Sequence, residues 1–202
     1  MEKEAIISEL KRTINIEGKS IMALENDIDM DVLVNVVEAL ADCKGKIILS
    51  GCGTSAMAAK KIAHSLCCID CSAIFLIPSD AVHGALGVLH KNDIFILISK
   101  GGNTSELINM IPSCKTKGAL LIGVSENEES VIAKESDIYL KIKIEKEPCK
   151  FNMLATASTL AVISAFDAVC IVLMQMTGYT REKFAIIHPG GAVGSRLLGK
   201  EK

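Results

Sequence analysis

The strongest constraint on the fold is a change of hydrophobic period near residue 46. Before it, residues 4–25 and 30–43 carry apolar side chains at helical spacing. After it, helix-period segments alternate with short, continuously apolar runs, at 46–50, 72–77, 93–99, 119–125 and 137–144. Such runs are typical of parallel strands that are buried on both faces. The sequence therefore predicts an α/β fold in three layers, with a doubly wound, five-stranded parallel sheet between helices.

The same pattern predicts a single domain over 1–202. Helices occupy 1–45, strands and helices alternate over 46–150, and helices with a His-Pro-Gly-Gly segment fill 151–199. A helix is expected over 105–117, kinked or split by Pro112. The apolar segment 151–177 could span a membrane by length, but Asp167 interrupts it and no basic flank orients it. A helix buried at a core or a subunit interface is the better interpretation, and no membrane partner is expected.

Composition excludes several functional classes. The net charge is −2, aromatic residues make up 3% and Trp is absent, so neither a basic patch nor a base-stacking platform for nucleic acid is expected. No secretory segment precedes the eight cysteines, which predicts reduced thiols and a cytoplasmic protein. The Cys68–Cys71 pair has no second pair to complete a zinc site, so we expect no metal and no cofactor.

Two glycine-containing loops follow predicted strands and open predicted helices. The first is Gly51-Cys52-Gly53-Thr54-Ser55, and the second runs from Ser99 to Glu106. Such loops offer backbone N–H groups, hydroxyls and a helix N-terminus to an anion. The first matches neither a P-loop nor a dinucleotide fingerprint, and a plain glycine turn with a capping hydroxyl is the alternative. Together the loops predict a sugar-phosphate cradle, with candidate substrate-binding residues Gly53, Thr54, Ser55, Ser99, Lys100, Gly102, Thr104 and Ser105.

Four further side chains could take part in the chemistry. Glu106 opens a helix, Glu147 lies in a polar loop, His83 follows the second strand and His188 precedes Pro189. Each has a structural alternative: Glu106 suits the dipole of its helix, Glu147 could be a solvated loop residue, and isolated histidines are more often structural. No nucleophile elbow is present. Two carboxylates, two imidazoles and two anion loops favour proton transfer on a phosphorylated polyol over acyl transfer.

Several stretches resemble the sugar isomerase (SIS) domain family, and within it the arabinose 5-phosphate isomerases. The matching stretches are GCGTSAMAAKKIAHS, PSDAVHGALGVL, DIFILISKGGNTSELINMIP, the loop Lys146–Cys149 with the following ATASTLAVISAFDA, and FAIIHPGGAVGSRLL. The resemblance implies a SIS-type, flavodoxin-like sheet and a homodimer or homotetramer whose active sites are shared between subunits. It also implies interconversion of D-ribulose 5-phosphate and D-arabinose 5-phosphate through an enediol.

The resemblance carries roles to individual residues. Glu106, Glu147 and His188 match the family's catalytic acids and histidine, and His83 matches a substrate contact. We expect Glu147 to be the base, if burial or a neighbouring charge raises its pKa. Glu106 is then its acid/base partner or an organiser. His188 is expected at the substrate hydroxyls and carbonyl, reaching in from a neighbouring subunit.

The chain also departs from the family pattern. Thr54 stands where the family has a catalytic Lys, Gly101 replaces a Ser, and Ala85 replaces an Asp. Lys100 is new and could supply the missing cation from the adjacent loop. The C-terminal cystathionine-β-synthase-type domains that family members often carry are not expected here. Two alternatives therefore stay open: an isomerase of another sugar phosphate, such as a hexulose 6-phosphate, and a non-catalytic sugar-phosphate sensor.

Overall fold

The computed structural model describes residues 1–190, and the part of the last motif from Gly191 onward lies outside that range. The strands are β1 (Ile47–Gly51), β2 (Ala73–Phe75), β3 (Ile94–Ile98), β4 (Leu120–Ser125) and β5 (Ile138–Lys141). The helices are α1 (Lys3–Asp27), α2 (Met30–Asp42), α3 (Gly53–Cys67), α4 (Pro78–Ala81), α5 (Ser105–Ile108), α6 (Ile111–Lys117), α7 (Val131–Glu135), α8 (Ala157–Met176) and α9 (Arg181–Ile187). A 3-10 turn spans Ala85–Val88.

The sheet confirms the predicted fold class. Within the described residues its five strands are all parallel, in the order β2-β1-β3-β4-β5. Because β2 lies on one side of β1 and β3 on the other, the strand order reverses at the carboxyl ends of β1 and β3. Ligands of open α/β sheets bind at such a reversal, so the topology indicates where to look for a site.

Each face of the sheet is covered by its own layer of helices. In β3, Ile94, Ile96 and Ile98 face one hydrophobic cluster, which includes residues of α2, α3 and α8. Phe95 and Leu97 face the other cluster, with residues of α5, α6 and α7. This alternation of side chains across the sheet explains why the strands read as continuously apolar. The three layers follow directly from that pattern.

Two expected helices can be compared with the structure. The 105–117 segment is split, as predicted, into α5 and α6, but the break lies before Pro112, which stands in the first turn of α6, where its missing N–H costs no hydrogen bond. The apolar segment 151–177 becomes helical only at Ala157. Residues 151–156 form a loop, and the carboxylate of Glu147 accepts the N–H groups of Thr156 and Ser158 where α8 begins.

Among residues 1–190, α8 is the helix whose length and apolar composition would allow it to cross a membrane. One of its faces is buried like that of a core helix, through Ala161, Ala165, Phe166 and Val169. Small side chains on α3, among them Ala59 and Ala63, are buried in the same cluster and let the two helices pack closely. The other face of α8 exposes Ile171 and other apolar side chains. The core part of the prediction for this helix is therefore confirmed.

Candidate active site

The candidate site is a cleft at the carboxyl ends of the parallel strands. Ile98 and Val124 form its floor at the ends of β3 and β4. Polar side chains line its walls: Ser55, Ser99, Lys100, Ser125, Ser158 and Thr159. The cleft thus lies beside the reversal of strand order and joins both predicted anion loops to the start of α8.

The first loop brings the N-terminus of α3 to the rim of this cleft. Gly53 adopts a left-handed conformation (φ 57°) that lets the chain turn from β1 into the helix at once. Thr54 is exposed and Ser55 is half-buried against the cleft. Position 54, where the resemblance leads one to expect a lysine, holds the exposed Thr54, so this turn provides hydroxyls and backbone N–H groups but no cation.

The second loop is fixed by its own hydrogen bonds. The hydroxyls of Ser99 and Thr104 are 2.8 Å apart, and the N–H of Gly102 donates to Ser99 Oγ at 3.1 Å. Gly102 has φ 69°, and a Cβ there would lie 2.1 Å from Ser130 Oγ. Only glycine fits both requirements, so the close contact with Ser130 holds the loop against the start of α7.

Glu147 is the most enclosed carboxylate next to the cleft. Its side chain has no exposed surface, and its Oε1 accepts a hydrogen bond from Lys100 Nζ at 2.7 Å. Ser158 Oγ donates to the same oxygen, and the N–H of Thr156 donates to Oε2 at 3.0 Å. Every oxygen of this carboxylate is therefore occupied by a donor from the chain itself.

These donors decide the charge of Glu147. Burial acts to raise its pKa, but the hydrogen bonds from Lys100, Ser158 and the Thr156 N–H, with the Lys100 charge, outweigh burial and lower it. We expected the pKa of Glu147 to be raised if it is the base, whereas in this arrangement its pKa is lowered. Glu147 is therefore held ionised.

Glu106 lies in α5, the helix that follows β3, whereas Glu147 lies in the loop that follows β5. It is exposed in the first turn of α5 and accepts a hydrogen bond from Ser105 Oγ at 3.0 Å. Hydrogen bonds from its own N–H and from Ser105 lower its pKa. Burial raises the pKa of the Cys52 thiol and the charge of Glu106 raises it further, which places Glu106 near the first loop. Glu106 and Glu147 therefore both lie at the carboxyl ends of the strands, where Glu106 is exposed and Glu147 is buried.

The two histidines are not drawn into this cluster. His83 is exposed in the turn after α4. His188 ends α9, where its ring stacks on Phe184 at 3.8 Å between centroids and its Nδ1 lies 2.9 Å from the Phe184 carbonyl oxygen. The described part of its own chain thus holds His188 against α9, not against Glu106 or Glu147.

Three residues that the sequence analysis did not identify help to hold Glu147 and its loop in place. Asn152, left-handed at φ 54°, accepts the N–H of Glu147 at 2.6 Å. Arg12 of α1 donates to the carbonyl of Pro148 at 2.5 Å. Ser158 holds the carboxylate itself. The only sequence signal was hydroxyl residues in an otherwise apolar segment, and nothing local could indicate Arg12, which lies 136 residues away from Pro148.

Comparison with known proteins is decisive for the family. The SIS domain model matches residues 39–175, about two thirds of the chain. The chain belongs to the SIS domain family. The arabinose 5-phosphate isomerase KdsD of Pseudomonas aeruginosa is 36% identical over 194 residues, which are 96% of this chain and 59% of that protein. The chain therefore spans about three fifths of the length of this curated relative.

Solved structures agree with the fold. A crystal structure from Listeria monocytogenes is 57% identical, with a TM-score of 0.93, and the match covers 94% of this chain and all of that one. An E. coli CFT073 protein in complex with A5P has a TM-score of 0.90 at 28% identity, again covering 94% of this chain and all of that one. This SIS domain thus shares its architecture with a protein that was solved in complex with A5P.

Proposed function

We propose that this SIS protein is an aldose–ketose isomerase that interconverts D-arabinose 5-phosphate and D-ribulose 5-phosphate. The observation that carries the proposal is the pair of carboxylates, Glu106 and Glu147, at the end of the sheet where the two predicted anion loops also lie. A site that only bound a phosphorylated sugar would have little use for two negative charges next to an anionic ligand. The similarity to KdsD and to the A5P complex supports the choice of sugar.

The reaction moves a proton between neighbouring carbons. A base removes the proton from the hydroxyl-bearing carbon next to the carbonyl while the carbonyl oxygen takes up a proton, which gives an enediol. The other hydroxyl then loses its proton as the former carbonyl carbon receives one. We assign this transfer to Glu147, with Glu106 as its acid/base partner. Glu147 is ionised and so able to accept a proton, but it must first exchange one of its hydrogen bonds for the substrate. The loops at Gly53–Ser55 and Ser99–Ser105, with His83, bind the sugar phosphate.

The proposal includes assembly into a homodimer or homotetramer in the cytoplasm. Apolar side chains are exposed along α1, at Leu10 (59%) and Ile14 (67%), and on α9, at Ile186 (75%). Exposed apolar faces of this kind mark association surfaces. Because His188 stays at the end of α9 in its own chain, we assign it to the site of a neighbouring subunit, at the hydroxyls and carbonyl of the sugar. No cofactor and no metal enter this scheme.

The test follows solvent deuterium by NMR. Purified protein in D₂O receives arabinose 5-phosphate, ribulose 5-phosphate or a panel of hexose phosphates in separate samples. We expect interconversion of the two pentose phosphates, with deuterium entering at the carbon next to the carbonyl. The Glu147→Gln variant should lose activity by at least about a hundredfold, whereas Glu145→Gln, a neighbouring exposed glutamate in the same loop, should match the wild type.

Each alternative has its own outcome. Turnover of a hexulose phosphate alone would replace the proposed substrate. Saturation transfer to a sugar phosphate without exchange of deuterium would show a sensor instead of an enzyme. Equal turnover by the Glu147→Gln and wild-type proteins would contradict the assignment of the base.

A further inference from the structure

Lys100 occupies a boundary between the buried carboxylate and the open cleft. Its side chain is 32% exposed, whereas that of Glu147 is fully buried. An ammonium group carries three N–H donors. Among residues 1–190, Lys100 Nζ donates to Glu147 Oε1, and no second acceptor lies within hydrogen-bond distance. The remaining N–H groups are thus available to a ligand in the cleft that Lys100 lines.

Glu147 does not cancel the charge of Lys100 completely. Its carboxylate also accepts hydrogen bonds from Ser158 Oγ and from the N–H of Thr156. These dipoles already stabilise part of the negative charge. The cation therefore still attracts an anion from the cleft side, while the pair fixes where the ammonium stands.

We propose that Lys100 is the phosphate-binding cation of this site, held in position by the buried carboxylate of Glu147, and that it selects phosphorylated over neutral sugars. The inference rests on the proposed function. It gives Glu147 a second task, as the positioning residue for Lys100. It also accounts for Thr54: the cation is carried by the adjacent loop after β3, where Ser99 and Thr104 are already fixed by their mutual hydrogen bond.

One lysine is sufficient to bind the phosphate because Glu147 positions its ammonium group before the ligand arrives. A free lysine side chain loses rotamer entropy when it binds a ligand, about 0.5–1.5 kcal/mol for each immobilised chain. The Glu147 contact imposes that order before the ligand arrives. Hydrogen bonds between charged partners are also stronger than neutral ones. Phosphate binding should therefore depend on the charge at position 100, while contacts to the sugar should not.

The experiment measures binding of a 5-phosphorylated pentitol, which lacks a carbonyl and cannot react, and of the same pentitol without phosphate. Calorimetry compares the wild type with Lys100→Gln, Lys100→Arg and Lys91→Gln. The last variant removes one exposed lysine just before β3, at the opposite edge of the sheet. Lys100→Gln should weaken binding of the phosphorylated pentitol by at least about tenfold and leave the neutral pentitol unchanged. Lys100→Arg should retain most of the affinity, and Lys91→Gln all of it.

Loss of Lys100 leaves a buried charge, so the single variant could unfold. The double variant Lys100→Gln/Glu147→Gln removes both charges, and it should bind the phosphorylated pentitol at least about tenfold more weakly than Glu147→Gln alone. A change below twofold, or an equal loss for both pentitols, would refute the inference and show an ion pair that only neutralises Glu147.

The binding assay separates this inference from the proposed function. If no sugar phosphate is converted by the wild type but Lys100→Gln loses affinity for the phosphorylated pentitol, the isomerase proposal fails and the phosphate site stands. If pentose phosphates are converted and Lys100→Gln binds the phosphorylated pentitol normally, the isomerase proposal stands and the assignment of Lys100 to the phosphate fails.

Discussion

Replacing Gly102 by alanine tests whether the second loop is fixed as the structure shows. Gly102 is buried in the left-handed region, and its added Cβ would lie 2.1 Å from Ser130 Oγ and 2.5 Å from Ser130 Cβ. Ser130 caps α7 by accepting the N–H of Ala133 at 3.3 Å. Alanine at position 102 must therefore adopt a disfavoured backbone conformation and also displace that cap.

The two costs can be estimated separately. A left-handed backbone costs a residue with a Cβ roughly 1–2 kcal/mol. Loss of an N-cap hydrogen bond costs about 1 kcal/mol. We therefore expect Gly102→Ala to lower the free energy of unfolding by about 2–3 kcal/mol. For a chain of this size each kcal/mol lowers Tm by roughly 2–4 °C, so Tm should fall by about 4–12 °C.

Gly101→Ala is the matched control. Its added Cβ would meet no atom within 4 Å, and its φ lies outside the left-handed range. We expect a change below about 0.5 kcal/mol. Urea unfolding followed by circular dichroism gives both values. If the two variants agree within about 0.5 kcal/mol, the contact between Gly102 and Ser130 does not hold the loop, and the argument for a preformed anion loop fails with it.

Two further predictions concern the loop that carries Glu147 and the sharing of the site. Asn152→Ala and Asn152→Gly both remove the acceptor of the Glu147 N–H, so both should lower kcat by about three- to tenfold, measured by NMR turnover. A Gly variant with wild-type kcat would mean that backbone strain in the Ala variant, not the hydrogen bond, is responsible for any loss. Separately, the Glu147→Gln and His188→Ala variants should each be inactive. When subunits of the two variants are refolded together, random pairing makes half of the dimers mixed, and each mixed dimer has one intact site out of two. The mixture should therefore recover about a quarter of wild-type activity. Mixtures no more active than their parents would place His188 outside the partner's site.

The sequence determined the layered fold because hydrophobic periodicity is a local property. Short continuous apolar runs that alternate with helical segments are typical of parallel strands buried on both faces, and the carboxyl ends of parallel strands lie at the same end of a sheet. This is why Gly51–Ser55, Ser99–Glu106 and the segment that carries Glu147, each of which follows a parallel strand, lie at the carboxyl ends of the sheet. The predicted runs for β2 and β5 were longer than these two strands, which are the edge strands of the sheet.

Only the tertiary structure decided which side chains contact one another at the carboxyl ends of the strands, and how their charges are stabilised. Lys100 and Glu147 are separated by 47 residues along the chain, and nothing in their local pattern indicates a contact. The start of α8 turns its N–H groups and Ser158 onto Glu147, which lowers a pKa that burial alone would raise. Likewise, the stacking on Phe184 keeps His188 on α9. These outcomes depend on how distant segments pack, and a reading of periodicity and spacing along the chain does not contain that information.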